Sequence, residues 1–152
     1  ANNQILFRSE HISFYTRLLE GNYPDTDRLI PTEFNTEATF NVANLRFAME
    51  RARLLSNATQ NGTVKLEFKN GVVSSHVHSP EVGRVNEEID TSSVSGEDLS
   101  ISFNPTYLIE ALKAIDSEQV IIRFISSVRP FTLVPEGNEQ GFIQLITPVR
   151  TN

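Results

Sequence analysis

Hydrophobic positions along the chain repeat at helical spacing in two separate stretches. The first begins at Leu45 and the second at Leu108, and in each the apolar residues fall at i, i+3, i+4 and i+7. This spacing is typical of one buried stripe on an α-helix. The matched positions, all 63 residues apart, are Leu45 and Leu108, Ala48 and Ala111, Met49 and Leu112, and Ala52 and Ile115. The pattern predicts two related amphipathic helices.

Each predicted helix is preceded by the same start signal. A Phe-Asn pair ends at Asn41 and another at Asn104. Asparagine is a favoured N-cap because its side-chain oxygen accepts a hydrogen bond from the first helical turn. Pro105 then occupies the first helical position, where its missing N–H removes no hydrogen bond. We therefore expect the helices to begin at residues 42 and 105.

Short runs rich in apolar and β-branched residues surround each helix and predict β-strands. One strand precedes each helix and three follow it, and the turn Lys69-Asn70-Gly71 joins two of them as a hairpin. The predicted strands cover residues 37–40, 64–68, 72–79 and 84–91 in the first unit, and 99–103, 120–126, 130–134 and 141–146 in the second. Two βαβββ units thus fill residues 32–152, which predicts an α+β fold class.

Residues 1–31 match neither unit. Strand patterns at 4–8 and 12–19 flank Ser9-Glu10 and predict one further hairpin. A lone two-stranded hairpin is barely stable in water, since it buries little surface on either face. We interpret this segment as the incomplete end of a preceding domain.

Charge and composition narrow the function classes. The chain carries a net charge of −6, contains no cysteine and has no apolar run long enough to span a bilayer. The absence of cysteine excludes disulfides and thiolate metal sites. An acidic protein binds nucleic acid poorly unless its basic residues are gathered on one face.

A polar strip lies beside the buried stripe of the first helix. It is formed by Arg46, Glu50, Arg53 and Asn57. One interpretation is a solvated surface with an i, i+4 ion pair. The other is a weakly basic surface that meets phosphates without contacting bases.

Two apolar residues of the first helix project away from its core stripe. Phe47 and Leu54 are seven positions apart and therefore lie on one side of the helix, while Leu55 falls at the edge of the core stripe. Isolated exposed apolar residues are ordinary, but an aromatic ring and a leucine two turns apart also suit a partner surface.

Residues with catalytic or metal-binding potential do not form a recognisable constellation. His76 and His78 share one face of a predicted strand, but no third metal ligand is near them in the sequence. Glu87 and Glu88 are adjacent on a strand and point to opposite faces, which does not suit paired acid–base chemistry. We expect no catalytic residue, metal or cofactor.

Several segments resemble one protein family over essentially the whole chain. The family is that of bacterial DNA sliding clamps, the beta subunit of DNA polymerase III. The segments that carry the resemblance are Leu19-Glu20-Gly21-Asn22-Tyr23-Pro24-Asp25, Arg28-Leu29-Ile30-Pro31, Arg51-Ala52-Arg53-Leu54-Leu55-Ser56-Asn57, Phe103-Asn104-Pro105-Thr106-Tyr107-Leu108 and Pro148-Val149-Arg150. The resemblance implies the DNA-clamp fold, with residues 1–31 ending the middle domain and residues 32–152 forming the C-terminal domain.

The resemblance also implies a non-catalytic role in DNA replication. In this family two subunits close head to tail into a ring around double-stranded DNA and confer processivity on the polymerase. Short peptides with a glutamine and hydrophobic anchors connect the ring to the catalytic subunit of DNA polymerase III, to the clamp loader and to repair polymerases. The expected location is the bacterial cytoplasm, with no membrane partner.

Three groups of site residues follow from the resemblance and the helical pattern. The peptide-binding positions are Pro24, Arg28, Leu29, Asn104, Tyr107, Pro130, Leu145, Ile146, Pro148, Val149 and Arg150. The DNA-channel positions are Arg46, Arg51, Arg53 and Lys113. The subunit-interface positions are Leu54, Leu55, Glu81, Glu87 and Glu88.

Two other functions stay open on the residues alone. The first is a free-standing α+β domain that binds proteins and has no role with DNA. The second is a hydrolase that uses His76, His78 and nearby carboxylates, which requires a stoichiometric metal.

Overall fold

The computed structural model describes residues 3–22, 25–56, 62–79, 83–139 and 141–150. These residues form two α-helices, eleven strands and a short 3₁₀ helix at Thr26–Leu29. The helices are α1 (Val42–Ser56) and α2 (Pro105–Lys113). The strands are β1 (Gln4–Arg8), β2 (Ser13–Arg17), β3 (Thr36–Asn41), β4 (Val64–Lys69), β5 (Val72–Ser79), β6 (Gly83–Ile89), β7 (Ser93–Gly96), β8 (Leu99–Phe103), β9 (Gln119–Phe124), β10 (Phe131–Pro135) and β11 (Gln144–Ile146).

Both helices begin where the sequence predicts. The Asn41 side chain accepts a hydrogen bond from the backbone N–H of Asn44 at 3.0 Å, and Asn104 accepts one from Thr106 at 2.9 Å. The predicted core stripe of α1 is confirmed at Leu45, since that residue is fully buried. The four positions that follow the same stripe along the chain, Ala48, Met49, Ala52 and Leu55, are buried or partly buried.

The two repeat units exchange their first strands. The four-stranded sheet has the order β6-β5-β4-β8, so β8 from the second unit joins strands of the first. The five-stranded sheet has the order β11-β10-β9-β3-β7, so β3 from the first unit joins strands of the second. All pairs are antiparallel. Because each sheet needs strands from both units, neither unit can complete its sheet alone.

One strand of the first unit was not predicted. The pattern at residues 84–91 predicts a single strand, whereas the structure ends β6 at Ile89 and adds β7 along the edge of β3. The unit is therefore βαββββ. The last strand, β11, begins three residues later than predicted, at Gln144.

Aromatic rings from both sheets join the two layers into one core. Phe68 of the four-stranded sheet lies 4.9 Å from Phe124 of the five-stranded sheet, measured between ring centroids. Phe131 lies 5.1 Å from both Phe124 and Phe103. All four rings are buried. Burial of each such side chain contributes about 1.5–3 kcal/mol, so this cluster is a main source of stability.

Strands β1 and β2 form a separate two-stranded sheet, as predicted for the N-terminal hairpin. Every residue of both strands is exposed. The exposed side chains include Phe7 and Phe14, whose ring centroids are 6.3 Å apart across the hairpin. The hairpin thus displays apolar side chains on its surface.

Candidate functional site

A cleft of about 380 Å³ lies between α2 and the C-terminal segment. Its lining residues are Tyr107, Glu110, Ala111, Ala114, Phe142, Gln144, Leu145, Ile146 and Thr147. Most of these side chains are apolar, and a few polar groups stand among them. Clefts of this size and composition are typical ligand sites in proteins.

The helical side of the cleft follows from the spacing of α2. Tyr107, Glu110, Ala111 and Ala114 fall at i, i+3, i+4 and i+7, so they share one face. The two alanines leave space that larger side chains would fill. The Tyr107 side chain is 60% exposed, so its ring is available to a ligand. Glu110 accepts a hydrogen bond from Lys113 at 2.9 Å, which partly neutralises the carboxylate at the rim.

Three of the predicted peptide-binding residues line this cleft, namely Tyr107, Leu145 and Ile146. They come from sequence positions almost forty residues apart, brought together because β11 lies beside α2. The other lining residues were missed by the sequence analysis. Ala111 and Ala114 follow Tyr107 by four and seven positions, so they lie on the same face of the helix. This spacing is the only sequence signal that could have identified them as cleft residues.

Other predicted peptide-binding residues lie outside the lining. Asn104 caps α2, and Val149 donates its backbone N–H to the backbone oxygen of Ser102 at 2.7 Å, which holds the C-terminal segment near the end of β8.

The other predicted peptide-binding residues are mostly at the surface. Arg28 pairs with Asp25 at 2.8 Å in the exposed 3₁₀ helix. Leu29 and Arg150 are exposed, and Pro130 and Pro148 are half-buried. Pro24 lies outside the described residues.

A second cleft, of about 220 Å³, lies between the start of α1 and the end of α2. Two of the predicted DNA-channel residues, Arg46 and Lys113, line it together. Arg46 lies 3.8 Å from Glu50, and its guanidinium carbon is 5.3 Å from the Phe47 ring centre. Arg53 is half-exposed, seven positions after Arg46 on the same side of α1. This surface carries three basic side chains, but the carboxylates of Glu50, Glu110 and Glu118 lie beside them and offset the positive charge.

Arg51 lies elsewhere, in a third cleft of about 250 Å³ between α1 and β6. Its guanidinium donates hydrogen bonds to both carboxylate oxygens of Glu87. The hydrogen bond to Glu87 raises the pKa of Arg51 above its ordinary value. Glu88 and Phe47 also line this cleft. The structure thus places Arg51 beside predicted subunit-interface residues. Arg51 does not line the cleft that contains Arg46 and Lys113.

Two of the remaining predicted interface residues, Leu54 and Leu55, lie on α1. Leu54 is 72% exposed and Phe47 is 48% exposed, so both project away from the core as predicted. Leu55 is partly buried and packs against the core. Glu81 lies outside the described residues. Strand β6 is the edge of its sheet and pairs only with β5 among the described strands, so one row of its backbone groups is unpaired within the sheet.

Of the two histidines, His76 forms polar contacts on the outer face of the four-stranded sheet. The Nε2 atom of His76 lies 2.9 Å from the Ser74 hydroxyl, and its Nδ1 atom lies 2.8 Å from the Asn86 side-chain oxygen. His78 is exposed. Within the described ranges, no group of three His, Asp or Glu side chains could hold a metal ion. Neither described helix has the length and apolar character of a membrane span.

Comparison with known proteins identifies the family. A sequence model of the DNA polymerase III beta subunit, C-terminal domain, matches residues 27–150. The chain belongs to this family. Its fold class is that of the DNA polymerase III beta clamps, as the sequence resemblance predicted.

Individual relatives support the same assignment. The chain is 80% identical over 152 residues to the beta sliding clamp of Streptococcus pneumoniae, covering 100% of this chain and 40% of that protein. It is 57% identical over 154 residues to the beta sliding clamp of Lactococcus lactis, with 100% and 40% coverage. The solved beta chain of DNA polymerase III from S. pneumoniae superposes with a TM-score of 0.90 at 79% identity, over 99% of this chain and 40% of that chain. This chain therefore spans about 40% of the length of these relatives.

Proposed function

We propose that this chain is the C-terminal part of a replicative sliding clamp, which encircles DNA and recruits DNA polymerase through the cleft beside α2. The single observation that carries the proposal is this cleft, in a chain that is 80% identical to a protein named beta sliding clamp. Tethering raises the effective concentration of polymerase at the template, so processivity needs no catalytic group. We infer a non-enzymatic role.

The chemistry of the cleft suits a short peptide with hydrophobic anchors and one amide. An apolar wall is supplied by Leu145, Phe142, Ala111 of α2 and Ala114 directly after α2. Gln144 and the Tyr107 hydroxyl can form hydrogen bonds with a glutamine side chain, which fixes the orientation of the peptide. The proposed partners are the catalytic subunit of DNA polymerase III, the clamp loader and repair polymerases. The predicted residues around Arg28, Leu29, Pro148 and Arg150 would extend the contact.

The helix surface suits weak, sequence-independent contact with DNA. Arg46 and Lys113 line one cleft, and Arg53 lies on the same side of α1. Glu50 and Glu110 partly neutralise this surface, and the whole chain is acidic, with a net charge of −6. Fewer phosphate contacts mean weaker binding with a smaller salt dependence. A complete ring with such a surface would slide along double-stranded DNA.

Ring closure would use the surface formed by α1 and β6. Leu54 supplies an exposed apolar side chain, and Glu87 and Glu88 supply charge. The opposing surface of this interface would be supplied by another clamp subunit. We also propose that residues 1–31 end the middle domain of the clamp, which would cover the apolar side chains exposed on β1 and β2.

A peptide titration tests the proposed cleft. The labelled chain is titrated with an end-capped, uncharged peptide that contains one glutamine and hydrophobic anchors, and amide NMR shifts are recorded. Saturable shifts at Tyr107, Phe142 and Leu145 are expected. Tyr107→Ala should weaken the peptide by about tenfold, because an aromatic anchor contact is worth about 1.4 kcal/mol or more.

The matched control is Val72→Ala, which removes an exposed side chain at the β4–β5 hairpin, outside the cleft. Val72 is 46% exposed, against 60% for Tyr107. Its dissociation constant should equal that of the wild type. Shifts that cluster away from the cleft, or equal losses for the two variants, would show that the cleft is not the peptide site.

A further inference from the structure

An arginine on the five-stranded sheet lies between two carboxylates. The Nε atom of Arg123 donates to Glu37 at 2.6 Å, and its Nη2 atom donates to Glu139 at 2.6 Å. The guanidinium carbon also lies 5.7 Å from the centre of the Phe34 ring. The neighbouring residue Ile122 is in the core, so Arg123 projects from the opposite face of β9.

One of the two carboxylates lies on a strand and the other on a connecting segment. Glu37 belongs to β3 and is directly opposite Arg123 in the sheet register, so it is held by the strand pairing itself. Glu139 lies in the connection between β10 and β11 and has no strand to hold it. The ion pair therefore ties a connecting segment to the sheet.

That connecting segment supplies part of the cleft wall. Asn138 accepts a hydrogen bond from the backbone N–H of Gly141 at 3.2 Å, which closes a turn beside Glu139. The next residue is Phe142, which lines the cleft and packs against the core. The position of Glu139 is thus coupled through a single turn to the position of Phe142.

The ion pairs of Arg123 are partly shielded from solvent. The Arg123 side chain is 22% exposed, whereas the two glutamate side chains are 42% and 43% exposed. Partly buried pairs are screened less by salt than fully exposed ones. The hydrogen bonds to Glu37 and Glu139 raise the pKa of Arg123, so the guanidinium is charged at every working pH.

We propose that Arg123 is a positioning residue for the cleft: its ion pair with Glu139 holds the turn that sets Phe142 in the cleft wall. The inference rests on the proposed peptide-binding function and adds to it a determinant of affinity that does not touch the peptide. Loss of the pair lets Phe142 leave its place, so the peptide loses part of its apolar wall.

A matched pair of variants tests this positioning. Glu139→Gln and Glu37→Gln each replace one of the two carboxylates that pair with Arg123 by an uncharged amide. Only Glu139 lies on the segment that leads to Phe142. Affinity for the uncharged, end-capped peptide described above is measured by NMR or fluorescence titration. We expect Glu139→Gln to weaken the peptide by about fivefold, and Glu37→Gln by less than about twofold.

Salt provides a second readout that a general loss of stability would not change. The peptide carries no charge, so salt acts on its affinity only through the protein. Between about 0.05 M and about 1 M salt, the wild-type affinity for the peptide should fall relative to that of Glu139→Gln, so that the difference between the two narrows. Thermal unfolding of both variants, measured in parallel, shows that each is folded at the titration temperature.

The outcomes separate this inference from the proposed function. If the wild-type chain gives no saturable binding at millimolar peptide, the proposed peptide cleft is overturned. If the wild type binds and the two glutamine variants bind equally well, Arg123 does not position the cleft through Glu139. The same conclusion follows if the salt dependence of Glu139→Gln equals that of the wild type.

Discussion

The backbone oxygen of Asn35 fills the space beside the α-carbon of Gly96, where a β-carbon would come within 1.9 Å of it. Gly96 ends β7 with a φ of +99°, a conformation that side-chain-bearing residues rarely adopt. The contact joins the edge strand β7 to the segment that enters β3. Position 96 therefore requires glycine for two reasons: the backbone has a positive φ, and the close contact with Asn35 leaves no room for a β-carbon.

We expect Gly96→Ala to destabilise the fold strongly. Strain at positive φ costs about 1 kcal/mol, and the clash with Asn35 adds to it, for a total of about 3 kcal/mol or more. Urea denaturation measures the change. Gly71→Ala is the control, since Gly71 has a φ of +78° but no atom within 4 Å of the added β-carbon. A loss as small as that of Gly71→Ala would mean that the backbone at residue 96 relaxes freely.

We expect Phe124→Ala to cost about 3–5 kcal/mol. Phe124 contacts rings from both sheets, so its removal leaves a cavity at the junction of the two repeat units. The control Phe47→Ala removes the same side chain from a position that is 48% exposed and should change stability by less than about 1 kcal/mol. Chemical denaturation of both variants distinguishes them, and similar losses would contradict the assigned core.

We expect Asn104→Ala to lower the free energy of unfolding by about 1 kcal/mol. The substitution removes the hydrogen bond from the Thr106 backbone to the cap. Asn104→Asp keeps an acceptor at the same place and should retain most of the stability. Thermal or urea unfolding compares the two, and equal effects would show that the cap hydrogen bond contributes nothing.

We expect the Arg51–Glu87 pair to contribute little, about 0.5–1 kcal/mol of coupling energy. The Arg51 side chain is 56% exposed, so water and salt screen the interaction. A double-mutant cycle with Arg51→Ala and Glu87→Gln measures it. Glu136→Gln removes an exposed carboxylate that lies after β10 and outside this cleft. It should show no coupling to Arg51→Ala, and any such coupling would contradict the assigned geometry.

Local features of the fold were predictable from local sequence. The starts of α1 and α2 follow from Asn41 and Asn104, because capping involves only the next few residues. The exposure of Phe47 and Leu54 follows from helical periodicity alone. Strand β7 was missed, since the run Ser93–Gly96 carries a single bulky apolar residue and owes its structure to pairing with β3.

The candidate cleft was only partly predictable. Tyr107, Leu145 and Ile146 were expected from the family resemblance, and the structure brings them together. Phe142 was not expected, because its place depends on how the connection between β10 and β11 folds back. A strand pattern at residues 141–146 cannot show that its first half lies outside the strand.

Short-range spacing and motifs are enough to predict the two helices, their caps, most of the strands and the family. The exchange of β3 and β8 between the sheets arises only in the folded chain, since strand pairing joins residues far apart in the sequence. Folding also determines which charged side chains pair. Arg51 lies in a basic run of α1, yet it pairs with Glu87 on β6 because packing brings the helix against that strand.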